Sequence, residues 1–137
     1  MKIIVKRLKA KSDLKEEIQR IAAESKITAG CIINGTGSLS QAKFRTDSKN
    51  GRVITKSFRK LEIVSLTGTI GEFGQHIHVH ISGADRQARV FGGHLLPGCI
   101  VHTTAELMML AFDNYRFLAE YDPATGFKEL FIKPKAE

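Results

Sequence analysis

The sequence predicts an α+β fold: one domain over residues 1–137, built on a strongly curved antiparallel sheet of six or more strands, with one main helix near the N-terminus. Three observations carry that expectation. Most apolar residues fall in short runs that alternate at period two and are bounded by Gly, Pro, Asn and Asp. Only the stretch around residues 12–25 places its apolar residues at helical spacing. The 137 residues, 42% of them hydrophobic, suffice for one core and are too few for two ordinary domains. No internal repeat, low-complexity tract or linker divides the chain.

Taken in order, Lys2 to Leu8 is β-branched and short, as a strand packed on at least one side would be. Ser12 or Asp13 can then cap a helix whose first turn holds Glu16 and Glu17 and whose apolar face is Leu14, Ile18, Ile21 and Ala22, ending near Ser25. Cys31 to Ile33 reads as a buried strand that Gly35 and Gly37 interrupt with a bulge or a close backbone approach. Strand character resumes over Leu39 to Arg45, a turn is expected at Asp47–Gly51, and a returning strand starts at Arg52. Lys56, Arg59 and Lys60 flank Phe58 in an expected loop. Phe58 there is either a platform for stacking a base or, as is commoner for phenylalanine, a plug in the core.

Leu61 to Ile70 is a strand rich in Ile, Val and Thr, and Asp85-Arg-Gln turns the chain after the next one. Leu95-Leu-Pro-Gly98 turns it again, Cys99 to Val101 reads as a short strand, and Thr103 to Glu106 leads into LMMLAFDNYRFLAEYD. That run fits a helix or a long strand. The turn at Asp122–Gly126 and the alternating Phe127 to Ile132 favour a terminal hairpin. Met108, Met109, Leu110 and Phe112 together offer more apolar surface than one helix covers, which points to burial between subunits.

All five histidines lie between Gly71 and Glu106. On a strand, side chains at alternate positions share a face, so His76, His78 and His80 point one way while Ile77, Val79 and Ile81 point the other. His94 follows the turn and can join them from the next strand. Two histidines at i and i+2 with a third from a neighbouring strand can bind a divalent ion, such as zinc or nickel, and leave a fourth position open. The expected ligands are His76, His78 and His94, with His80 further along at the rim. Glu106 is the nearest candidate in sequence for a general acid or base, and Arg86 or Arg89 for holding an anionic substrate. A structural or subunit-linking metal would instead be closed by His80, His102 or a neighbouring chain. The alternative without metal is a merely polar strand face.

Other chemistries find no support. Gly35-Thr-Gly37 is too short for a phosphate-binding loop, and no Ser, His and Asp fall in a convincing triad order. Residues 1–60 carry 15 Lys/Arg against 5 Asp/Glu, and residues 61–137 carry 6 against 9, so the net charge of +7 is concentrated in the first part. This can mark a polyanion-binding surface or simply a solvated face. Cys31 and Cys99 stand far apart and outside any C-x-x-C, which suits reduced structural thiols. No apolar run approaches the ~20 residues needed to cross a bilayer. With charge scattered through MKIIVKRLKAKSD, a cytoplasmic location is expected.

Gly71-x-Phe73, His76-x-His78, Gly92-Gly-His-Leu95, Pro97-Gly98 and Thr103-Thr-Ala-Glu106, together with the strand-helix opening and Gly35-Thr-Gly-Ser38, closely resemble the plant and prokaryote conserved (PPC) domain family over nearly the whole chain. The resemblance implies an α+β domain that assembles as a homotrimer with its sheets around a threefold axis. Plant members join the domain to an AT-hook in nuclear DNA-binding proteins, and prokaryotic members stand alone and carry a DNA-binding description. This chain contains no Arg-Gly-Arg-Pro or similar AT-hook. The fold of the family is also similar to that of acetolactate decarboxylase, a zinc enzyme with a three-histidine site. That looser similarity implies His76, His78 and His94 as zinc ligands and, as the alternative to a DNA-binding regulator, a zinc-dependent enzyme acting on a small molecule.

Overall fold

The computed structural model describes residues 1–49 and 52–135. Strand β1 (Lys2–Lys9) leads into helix α1 (Leu14–Glu24). Asp13 starts the helix from an extended backbone, its carboxylate accepting from the amides of Lys15 (3.0 Å) and Glu16 (3.2 Å). The other carboxylate oxygen accepts from the Gly98 amide at 2.6 Å, so the cap also fixes the helix against the chain entering a later strand. Leu14, Ile18, Ile21 and Ala22 are wholly buried, which seats one helical face in the core as the spacing predicts.

The remaining elements are β2 (Ala29–Lys49), β3 (Arg52–Gly71), a 3-10 turn (Glu72–Gly74), β4 (His76–Ala84), β5 (Val90–Leu95), β6 (Ile100–Ala111), β7 (Tyr115–Asp122) and β8 (Phe127–Pro134). Strands β1 to β6 form one antiparallel sheet in the order β1-β6-β2-β3-β4-β5. The α+β class is therefore as expected, with β structure dominant.

The bulge and the close backbone approach expected at Gly35 and Gly37 are both present, whereas two other expected breaks are absent. β2 runs unbroken past Gly35 and Gly37 for 21 residues, slipping its register against β6 between Ile32 and Asn34 and twice more between Gly37 and Gln41. Gly37 adopts φ +146° with its Cα against the Thr104 carbonyl, where a side chain has no room. The loop expected at Lys56–Lys60 is part of β3, with Lys60 at φ +55°. Phe58 is the plug: it packs on the core with its ring 5.6 Å from Phe44 and 4.6 Å from Phe91. The short strand at Cys99–Val101 is the start of the 12-residue β6. At the turn expected over Asp47–Gly51, β2 continues to Lys49, which pairs with Arg52; residues 50 and 51 lie outside the described residues.

Strand β5 then returns onto β2, pairing Phe44 with Leu95 and Arg45 with His94. Strands β2, β3, β4 and β5 thereby curl into a closed ring at this end of the sheet. β7 and β8 form the expected terminal hairpin as a separate two-stranded sheet. Its base is anchored: the Phe117 amide donates to the Thr28 carbonyl at 2.9 Å, Thr28 Oγ1 donates to the Tyr115 carbonyl at 3.0 Å, and Arg116 pairs with Glu72 at 2.8 Å. A helix over Leu107–Ala111 is excluded, because Leu107, Met109 and Ala111 are buried while Glu106 and Met108 are exposed. Among the described residues, no helix is long and apolar enough to cross a membrane.

Candidate metal centre

The alternation of β4 does place His76, His78 and His80 on its outer face, with Val79 and Ile81 buried beneath. Register decides which of them meet His94. The Asp85–Arg89 turn is closed by the Asp85 carboxylate, which accepts from the amides of Gln87 and Arg89, and the hairpin it forms pairs Ala84 with Val90. Counting down that ladder puts His80 directly opposite His94.

His78, His80 and His94 each offer a ring nitrogen within 4.8 Å of the other two. His78 Nε2 and His80 Nε2 are 3.2 Å apart, the His78 and His94 rings stack at 5.1 Å, and the His80 ring stands edge-on to His94 at 4.3 Å. A tetrahedral ion with Zn–N near 2.0–2.1 Å separates its ligand nitrogens by about 3.3 Å. The three imidazoles therefore fit such an ion after small side-chain adjustments.

The set differs at one member from His76, His78 and His94. His76 sits opposite Gly71 at the start of β4, four residues from His80, or about 13 Å along an extended strand. His80, expected at the rim, is a member of the cluster. The turn at Asp85 was visible in the sequence, and counting residues from it would have indicated this pairing. The other candidates lie elsewhere. Glu106 is exposed on β6 opposite Arg7 and Thr36, with β2 and β3 between it and β4. His102 is exposed on β6 as well, Arg86 is exposed in the turn, and Arg89 is held by Asp85 at 2.7 Å.

The arginine at the site is one the sequence reading missed. Arg45, on β2, pairs across with His94 and places a guanidinium nitrogen 3.1 Å from His94 Nδ1. Burial first, then the Arg45 charge and the neighbouring histidines, pushes His94 down to about 4. His80 is also lowered, by burial and then by His78 and Arg45. Both rings are thus neutral near pH 7, the form that ligates metal.

Beside the cluster opens a cavity of about 740 Å³. Arg45, His76, His78 and His94 line one side, and β7 and β8 of the terminal hairpin line the other. The hairpin is therefore a wall of the site as well as an edge of the fold.

The Plants and Prokaryotes Conserved (PCC) domain, the family abbreviated PPC above, matches residues 1–113, and the chain belongs to this family. It is 40% identical over 136 residues to the bifunctional protein GlmU of a Synechococcus strain, matching 99% of this chain and 21% of that protein. The chain thus spans about a fifth of the length of the curated relatives it matches. Among solved structures, a hypothetical protein from Salmonella enterica superposes with a TM-score of 0.90 at 26% identity, covering 98% of this chain and 95% of the other. A metal-containing protein from Archaeoglobus fulgidus gives 0.82 at 23% identity, covering 96% and 94%. A Bacteroides thetaiotaomicron protein, provisionally named as DNA-binding, gives 0.83 at 23%, covering 94% and 91%. The fold is shared more loosely with a Staphylococcus aureus protein similar to alpha-acetolactate decarboxylase, at a TM-score of 0.57 and 13% identity over 80% of this chain and 52% of that one.

Proposed function

We propose that this PCC-domain protein binds a divalent metal ion, zinc by preference, through His78, His80 and His94, and presents it to a small molecule in the adjoining cavity. The observation that carries this reading is the convergence of three imidazoles from two paired strands, of which His78 and His94 also line a walled cavity. A zinc ion held there would supply Lewis acidity and lower the pKa of a bound water toward ~7. The chain's own part is to orient the rings: β4 and β5 fix their positions, and burial keeps His80 and His94 deprotonated. That a fold neighbour is named as metal-containing agrees with this reading. Among the described residues no carboxylate joins the cluster, so Glu106 takes part only if another subunit supplies it. Elemental analysis of untagged protein, followed by zinc titration, tests the proposal; protein that carries no metal and takes up none would sink it.

We further propose a cytoplasmic homotrimer. Ile3 (66% exposed) and Val5 (61%) on β1 stand across from Leu110 and Met108 on β6, and Ile33 (49%) lies next to them on β2. This outward apolar stripe on the sheet supports association between copies. The expected group is redistributed by strand alternation, since Met109 belongs to the core and Met108 to the stripe.

A second reading, DNA binding, is favoured by the excess of Lys and Arg in residues 1–60. Affinity for duplex DNA that falls steeply across a salt series supports it, and no binding at ~50 mM salt removes it.

A further inference from the structure

His94 has one lone pair to give, and Arg45 is using it. A guanidinium only donates hydrogen bonds, so the 3.1 Å contact from Arg45 to Nδ1 places the lone pair on Nδ1 and the ring proton on Nε2. A metal ion on neutral His94 needs that same lone pair. If the ion takes Nδ1 it displaces Arg45; if it takes Nε2, the proton moves to Nδ1 and faces a group that can accept nothing. Either way, ligation by His94 and the Arg45–His94 hydrogen bond exclude each other.

Among the described residues, no carboxylate holds Arg45 in an ion pair. The same is true of Lys15, and both line the cavity. The acids on the cavity wall are Asp47, one of whose oxygens accepts from the Ser48 amide, and Glu129 on the hairpin. Opposite stand Phe117, Leu118 and Leu130, which offer apolar contact. The cavity's size falls in the usual range for small ligands, about 300–1,000 Å³.

We infer that metal capture by the three histidines releases Arg45 into the cavity and so creates a binding site for a small organic carboxylate. The inference rests on the metal-site reading above and names the ligand class that site takes. The guanidinium fork matches a carboxylate through two parallel hydrogen bonds, and the hairpin wall receives the aliphatic stem. Metal and carboxylate therefore bind with positive cooperativity, because the first removes the partner that occupies the second's anchor.

Calorimetric titrations of the full chain with zinc, and with butyrate as the carboxylate probe, test this. Zinc-loaded protein is expected to bind butyrate at least about tenfold more tightly than metal-free protein. Arg45→Met, which keeps the stem and removes the donors, is expected to take zinc about tenfold more tightly and to lose the butyrate site. Equal butyrate affinity with and without zinc, or an Arg45→Met variant matching wild type in both titrations, overturns the inference while leaving the metal site standing. So does loss of butyrate binding because Arg45 turns to Asp47 or Glu129, seen as butyrate binding that appears only when those acids are changed to Asn and Gln. Inorganic phosphate binding the loaded site more tightly than butyrate overturns the carboxylate assignment. Wild-type protein that takes no zinc overturns the metal reading and this inference together.

Discussion

His80 on β4 stands directly across the ladder from His94 on β5, their rings 4.3 Å apart and nearly perpendicular. The pairing makes β5 part of the candidate metal centre, and it separates two histidines that look equivalent in the sequence. Replacing His80 with Ala is expected to weaken zinc binding by about a hundredfold or more, since it removes one of three ligands. His76→Ala should stay within about threefold of wild type, because it lies about 7 Å along the strand from His78 and about 13 Å from His80, and its ring is not one of those that converge. Zinc competition titrations with a chromophoric chelator measure both; the reverse order would restore the set His76, His78 and His94.

Acid should destabilise the metal-free protein well above the range where carboxylates titrate. His94 is held down to about 4, by burial first and then by Arg45, His80 and His78, against about 6.5 for an unfolded imidazole. Between those values the unfolded chain binds more protons than the folded one, so stability is fully present above about pH 6.5 and is lost as pH falls toward 4. His80, lowered by burial, His78 and Arg45, acts in the same direction. Urea denaturation of chelator-treated protein at pH 7.5 and 4.5 should show a lower midpoint at the acid pH. In His94→Gln the difference should shrink; an unchanged difference would assign it to other groups.

Gly71→Ala should loosen the hairpin wall. A Cβ at Gly71 would collide with the carbonyl of Phe117, a backbone atom that cannot swing aside. The expected cost is about 1–3 kcal/mol, the usual range for forced overpacking. Thermal unfolding would register this as a lower Tm, and amide exchange should quicken in β7 ahead of β2. Uniformly faster exchange would mean that the hairpin does not move separately from the sheet.

Placing a charge in the outward stripe should dissociate the assembly. Val5→Glu sets a carboxylate opposite Met108 where two apolar surfaces would meet, and β1 itself keeps its inward Ile4 and Leu8. Light scattering coupled to gel filtration is expected to give about three chains for wild type and one for the variant. A wild-type monomer at micromolar concentration would remove the trimer proposal.

The sequence by itself determined the local choices. The spacing of Leu14, Ile18 and Ile21 with Asp13 before them dictates a capped amphipathic helix, because a 3.6-residue period puts those side chains on one face. The alternation from His76 to Ile81 dictates a strand with its imidazoles on the outer side, and the turn at Asp122–Gly126 dictates the terminal hairpin. These signals are legible because each depends on neighbours within a few positions. What only the tertiary structure decided is which residues meet across strands. Period two fixes the face of a side chain and leaves its place along the ladder open, so the replacement of His76 by His80 in the cluster came from the register of β4 on β5. Arg45 is 49 positions from His94 in the chain and reaches it only because β5 closes back onto β2. Glu106, 12 positions from His94 and so apparently nearer, is carried by β6 to the far side of β2 and β3. Proximity in sequence does not survive a sheet whose neighbouring strands are ordered by burial of a shared core.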